Sequence, residues 1–195
     1  MAFYEDVIRA AEFLRSRTAC RPETCIILGS GLDALMDRVR DADIIPYAEI
    51  PGFPESSVAG HAARMIFGTL AGRETVLMCG RFHFYEGHSM KQITFPMYVL
   101  HEMGVQTLVV TNACGAVNAA LCGEFDGAVG VITRRIKDAI GDETDPGRAC
   151  ALNVKSGVDT IRKAIGECGV RVMGAIYDIV SGKVEFIDRG TQTGA

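Results

Sequence analysis

CIILGSGLDALMDRV, residues 25–39, carries a short apolar run into a glycine turn and on into a helical-looking segment. An apolar tetrapeptide suits a buried strand, and a tight turn that feeds a helix makes half of a βαβ unit. The pattern repeats outward from there. Upstream, Phe3, Val7, Ile8, Ala11 and Leu14 recur at helical spacing and predict an amphipathic helix, closed off by Pro22. Downstream, RMIFGTLAGRETVLMCG (64–80) predicts two strands joined by a turn at Ala71–Glu74. Met90, Ile93, Met97 and Leu100 keep a helical period through Pro96, where a kink is expected. VQTLVVTNACG (105–115) then predicts a further apolar strand.

Strands alternating with helices predict an α/β protein: three layers, a largely parallel sheet, helices on both of its faces. Beyond Asn118 the texture changes. Residues 125–148 predict a helix followed by a polar loop around Asp145–Gly147. Val154, Val158, Ile161 and Ile165 mark a second helix, and VRVMGAIYDIVSGKVEFID (170–188) predicts a carboxyl-terminal β-hairpin turning at Ser181–Gly182. RGTQTGA (189–195) is expected to fray.

Bulk properties narrow the partners. The 195 residues are 48% hydrophobic and 23% charged, with a net charge of −4 and no basic block, which argues against a nucleic-acid surface. No apolar run is long enough to span a bilayer, and the acidic start MAFYEDVIRAAEFLRS is no signal peptide. The seven scattered cysteines form no CxxC pair and point to reduced thiols in a cytoplasm.

In parallel sheets, ligands sit beyond the carboxyl ends of the strands. GSG, CGRFH and TNACG all fall at such ends, so they converge on one candidate site. In GSGL, backbone N–H groups and the Ser30 hydroxyl can face an oxyanion beside a helix N-terminus. Gly29-x-Gly31-x-x-Ala34 also satisfies the dinucleotide fingerprint, yet no second-strand acid follows, and a plain strand–helix turn would leave the same pattern. His61, in GHAAR (60–64), could donate to an anion, although a lone loop histidine is usually unremarkable.

CGRFHFYEGH (79–88) is the stronger signal. Arg81 supplies a permanent charge and a fork of donors suited to phosphate. His83 falls on the same side of an extended segment, and Tyr85 continues the alternation toward a sugar. His83 and His88 lack helical ligand spacing or a carboxylate partner for a metal. Cys79 lacks a base to make it a nucleophile. TNACG adds Asn112 and small neighbours whose backbone donors could reach a ligand.

Taken together, ILGSGL, GHAAR, CGRFHFYEG and VTNACGAVN resemble the amino-terminal half of the trimeric purine nucleoside phosphorylases, over about residues 1–118. The resemblance implies phosphorolysis of purine ribonucleosides to free base and ribose 1-phosphate, a pentosyltransferase reaction. Inorganic phosphate is the co-substrate, and no cofactor is needed. By motif matching it implies phosphate ligands at Ser30, His61, Arg81, His83 and the Ala113 backbone, with Arg81 and His83 the catalytic pair. Tyr85 matches a ribose contact, and Asn112 lies near phosphate and sugar.

The family continues into a second half that carries its purine-recognising glutamate and asparagine, and that half is not found in these residues. Instead, about 114–188 resemble the carboxyl-terminal part of β-class carbonic anhydrases, through CGAVNAAL, GAVGVITRRIKDAI, ALNVKSGVDTIRKAI and VRVMGAIYDIVSGKVEFID. The chain thus reads as a chimera joined near ACGAV, with residues 1–118 as one part and 119–195 packed into the same domain. No zinc set comes with the second resemblance. Cys114 matches one ligand, but Thr111 stands at the histidine's position, and Cys79 is followed by Gly-Arg rather than x-Asp-Ser-Arg. Both families assemble, so a homo-oligomer is implied. Three alternatives stay open: a noncatalytic phosphate- and nucleoside-binding scaffold, a carbonic anhydrase-like protein without an intact zinc site, and a structural fusion with vestigial sites.

Overall fold

The computed structural model describes residues 2–29, 31–54, 63–83, 86–112, 137–166, 168–178 and 180–188. The chain divides into two compact units, 1–113 and 114–195.

The first unit is built on a five-stranded sheet in the order β2-β3-β4-β1-β5. Its strands are β1 (Thr24–Leu28), β2 (Arg40–Pro46), β3 (Arg64–Leu70), β4 (Arg73–Cys79) and β5 (Thr107–Val110). β1 pairs in parallel with both β4 and β5, whereas β2–β3 and β3–β4 are antiparallel. The expected α/β class is realised with a mixed rather than largely parallel sheet, and its parallel part, β4-β1-β5, carries the glycine turn.

Period-two alternation assigns the two faces. Cys25, Ile27, Met65, Phe67, Val76 and Met78 point to one side, where helix α1 (Ala2–Arg17) packs Val7, Ala10, Ala11 and Leu14 and helix α2 (Met90–Glu102) packs Phe95, Val99 and Leu100. Leu28, Ile66, Leu77 and Cys79 point to the other, under Leu32, Leu35, Met36 and Val39. That cover is a 3-10 helix, Asp33–Arg38, in place of the α-helical turn the sequence suggested. With three residues per turn, Leu32 stacks over Leu35 and Met36 over Val39, which keeps the apolar side chains on the sheet over so short a span.

The β3–β4 connection is a two-residue hairpin loop at Ala71 and Gly72, with φ of 50° and 78°. A type I′ turn needs positive φ at both central positions, and its twist matches that of the strands. Ser89 caps α2 in a capping box with Gln92. Pro96 lies inside that helix with its ring buried, so the Gln92 carbonyl loses its usual helical donor. β5 closes one edge of the sheet with Leu108, Val109 and Val110 exposed.

In the second unit, helix α3 (Pro146–Ile165) packs against an antiparallel hairpin of β6 (Gly174–Tyr177) and β7 (Val184–Asp188). The Asp145–Gly147 stretch is a helix start and not a loop: Asp145 accepts from the Arg148 amide at 2.8 Å and Pro146 takes the first helical position. Arg162 clamps helix to hairpin, donating to both carboxylate oxygens of Asp188 and to the Val172 carbonyl, each at 2.7 Å. The hairpin turns where expected, with the Asp178 carboxylate accepting from Val180 and Ser181. Of the helix expected before residue 141, only 137–140 are described, and these are helical; the tail 189–195 also lies outside the described residues. Among the described residues, no helix is long and apolar enough to cross a membrane.

Candidate functional site

Because β1, β4 and β5 run parallel, their carboxyl ends open onto one edge of the sheet. Gly29 leaves β1 there, Gly80–His83 leave β4, and Thr111–Asn112 leave β5. The approach is close. A Cβ at Gly29 would lie 2.8 Å from the Thr111 carbonyl oxygen and 3.1 Å from Asn112 Cα, so only glycine fits. The Gly29 amide donates to Thr111 Oγ1 at 2.7 Å, and that hydroxyl donates to the Ile27 carbonyl at 2.8 Å.

Gly80, at φ 103°, turns the chain out of β4. Its carbonyl accepts the Tyr47 hydroxyl at 2.8 Å. Tyr47 in turn donates its own amide to the Ala63 carbonyl at 2.9 Å. Phe82 points into the core against Tyr47 and Phe53, while Arg81 and His83 share the opposite side. Arg81 donates through Nη1 to the Thr111 carbonyl at 3.1 Å and through Nε to His83 Nε2 at 3.2 Å. A guanidinium can only donate, so His83 Nε2 accepts, and the imidazole proton is on Nδ1. Nδ1 lies 2.5 Å from Glu86 Oε1, which also accepts the His83 amide at 3.0 Å. Glu86 Oε2 is 3.9 Å from His88 Nε2, and the Glu86 side chain is only 4% exposed.

Two of the sequence-predicted residues, Arg81 and His83, are thus in direct contact, and Asn112 lies on the same edge against Gly29. Ser30, His61, Tyr85 and Ala113 lie outside the described residues. Glu86 was missed from sequence. It supplies the carboxylate partner that His83 and His88 were expected to lack, and the His-x-x-Glu spacing was its signal. Among the described residues, no group of three or more histidines, cysteines or acids is placed to hold a metal ion. Burial pushes the Cys79 thiol up to about 11, which leaves it protonated and poorly suited to nucleophilic attack. The glycine turn leads into a 3-10 helix too short to supply a sizeable dipole, so an anion here meets loop amides and side-chain donors.

A family model for the phosphorylase superfamily matches residues 23–154 of this chain. The chain belongs to the phosphorylase superfamily. It is 53% identical over 115 residues to the purine nucleoside phosphorylase of Rattus norvegicus, covering 59% of this chain and 40% of that one. To purine nucleoside phosphorylase 1 of Geobacillus stearothermophilus it is 48% identical over 110 residues, covering 56% and 40%. Among solved structures it resembles Schistosoma mansoni purine nucleoside phosphorylase in complex with inosine, at a TM-score of 0.54 and 46% identity over 60% of this chain and 40% of that one. Isoform 2 from the same organism, in complex with cytosine and ribose 1-phosphate, matches at a TM-score of 0.56 and 38% identity, covering 60% and 41%. The chain therefore spans about 40% of the length of the curated relatives it matches.

Proposed function

We propose that this chain carries the phosphate- and ribose-handling half of a purine nucleoside phosphorylase site and uses it on purine ribonucleosides. The observation that carries this reading is the Arg81–His83–Glu86 relay held against the Thr111 carbonyl, at the open edge of the parallel strands. Ser30, His61, Tyr85, Asn112 and the Ala113 backbone complete the proposed site. In the reaction, an oxygen of phosphate forms a bond to the anomeric carbon of the ribose. The glycosidic bond breaks, and its electron pair leaves on the purine, which takes up a proton. Positive charge builds on the ribose as the base departs, and a dianion held beneath it stabilises that charge.

Each described residue has a part in this. Arg81 neutralises the incoming anion with its forked donors. His83, oriented by Glu86 on Nδ1, presents Nε2 beside Arg81 for a hydrogen bond with a phosphate oxygen. The relatives' complexes with inosine and with ribose 1-phosphate support both ends of the reaction. Cys20, Cys25 and Cys79 are buried free thiols, in keeping with the cytoplasmic setting we propose. For residues 114–188 we infer a β-carbonic anhydrase-like scaffold without a zinc set, and by resemblance to the trimeric family we expect the chain to self-associate.

The test is release of free base from inosine and guanosine, with and without phosphate, beside Arg81→Ala. The expected result is phosphate-dependent release in which the substitution weakens the apparent phosphate affinity by about 100-fold, the equivalent of about 3 kcal/mol for a charge-assisted contact. A second reading rests on the coverage of relatives, only about 40% of their length: a noncatalytic phosphate- and nucleoside-binding scaffold. Phosphate binding lost in Arg81→Ala, without base release from any variant, would select it.

A further inference from the structure

The structure assigns Thr111 as a positioning residue that makes the glycine turn and Arg81 one unit. This inference rests on the phosphate reading of the site. Thr111 is the first residue beyond β5, and every polar group it has is engaged. Its hydroxyl accepts from the Gly29 amide at 2.7 Å and donates to the Ile27 carbonyl at 2.8 Å, so one O–H is used in both directions. Its own amide donates to the same Ile27 carbonyl at 3.1 Å. Its carbonyl accepts the Arg81 guanidinium at 3.1 Å.

The consequence is geometric. The Gly29 amide is oriented by the Thr111 hydroxyl, and the Arg81 fork is oriented by the carbonyl of the same residue. Neither end of the anion site can tilt without moving the peptide that holds the other. Thr111 touches no reacting atom; it acts by fixing the strand end that opens the glycine turn and by aiming the Arg81 fork that meets the anion. The parts of threonine have separable roles. The hydroxyl makes the two side-chain bonds, so serine retains them. Valine matches the shape but sets a methyl group against an N–H and a C=O and satisfies neither.

Titration of inorganic phosphate into the full chain by calorimetry tests this with Thr111→Val, Thr111→Ser and Arg81→Lys. The expected result is binding about 10-fold weaker in Thr111→Val and within about 3-fold of wild type in Thr111→Ser. Arg81→Lys is expected to cost less affinity in the Thr111→Val background than in wild type, a non-additivity that a purely structural role for Thr111 would not produce. Wild-type binding that Thr111→Val leaves within about 3-fold, or strictly additive effects, would overturn the inference and leave the phosphate reading standing. A wild-type chain that binds no phosphate overturns both. If Thr111→Val yields no folded protein, the Gly29 amide resonance decides. It should move on phosphate addition with the calorimetric midpoint in wild type and in Thr111→Ser, and a resonance indifferent to phosphate overturns the assignment.

Discussion

Replacing Phe82 by alanine is expected to destabilise the amino-terminal unit by about 3–5 kcal/mol, the usual range for truncating a buried phenylalanine, and to remove phosphate binding with it. Phe82 is 5% exposed and sits between Arg81 and His83 in the chain. Its ring centroid lies 5.3 Å from Tyr47, 6.3 Å from Phe53 and 5.8 Å from His88. Truncation opens a cavity under the segment that carries the site, and small domains hold only about 5–15 kcal/mol in all. Tyr47 loses a packing partner while its hydroxyl still holds Gly80, so the turn into Arg81 loosens from one side. Phe82→Leu keeps much of the volume and should retain both fold and binding. Urea unfolding followed by near-ultraviolet circular dichroism measures the first effect, and phosphate calorimetry the second. If Phe82→Ala matched wild type in both, the aromatic cluster would not be what holds the loop.

Gly29→Ala is the second large effect, with an expected loss of about 3 kcal/mol, the upper part of the range for overpacking, and at least about a 10-fold loss in phosphate affinity. The added methyl would meet three backbone atoms, Thr111 O at 2.8 Å and Thr111 C and Asn112 Cα at 3.1 Å. Backbone cannot rotate out of the way as a side-chain tip can, so β1 and β5 must part. The displaced Thr111 carbonyl is also the acceptor for Arg81, which links the steric change to the ligand. Gly31 is the internal control. It has φ of 86° and nothing within 4 Å of an added Cβ, so Gly31→Ala meets backbone strain alone, about 1–2 kcal/mol. Thermal melts of both variants rank them, and a Gly31→Ala chain less stable than Gly29→Ala would contradict the packing account.

The centre of the fold was legible because its signals are strong and local. CIIL is apolar on both faces, and the glycine turn, the Ala71–Gly72 hairpin and the 3.6-residue period of α1 each have one simple reading. β2 escaped notice for a physical reason: six of its seven residues, all but Ile45, are exposed, so no alternation marks it. DPG at 145–147 reads as a polar loop in sequence because the residues that favour loops and turns also begin helices, and only the apolar period after them separates the two. In the site, Arg81 and His83 could be paired by alternation along one segment. Glu86 is not marked by metal-ligand spacing, because a carboxylate that orients a histidine lies three residues away in a local turn and not at a ligand position. Thr111 could not be found from sequence, since its partners Ile27, Gly29 and Arg81 lie far along the chain and meet it only through sheet order.

That sheet order also sets a sequence of events. β2, β3 and β4 form a meander of sequence neighbours, with β3 and β4 joined by a two-residue hairpin whose turn is preformed and β2 and β3 joined through residues 47–63. β1 has no neighbour of this kind: Thr24 must find Thr75 on one side and Thr107 on the other. Chain-closure entropy makes such distant pairings the slow ones. The meander can assemble early, but the edge on which Gly29, Arg81 and Thr111 meet exists only after both long closures. The proposed anion site is then the last part of the fold to form. Phosphate should slow the unfolding of the finished molecule and leave its rate of formation unchanged.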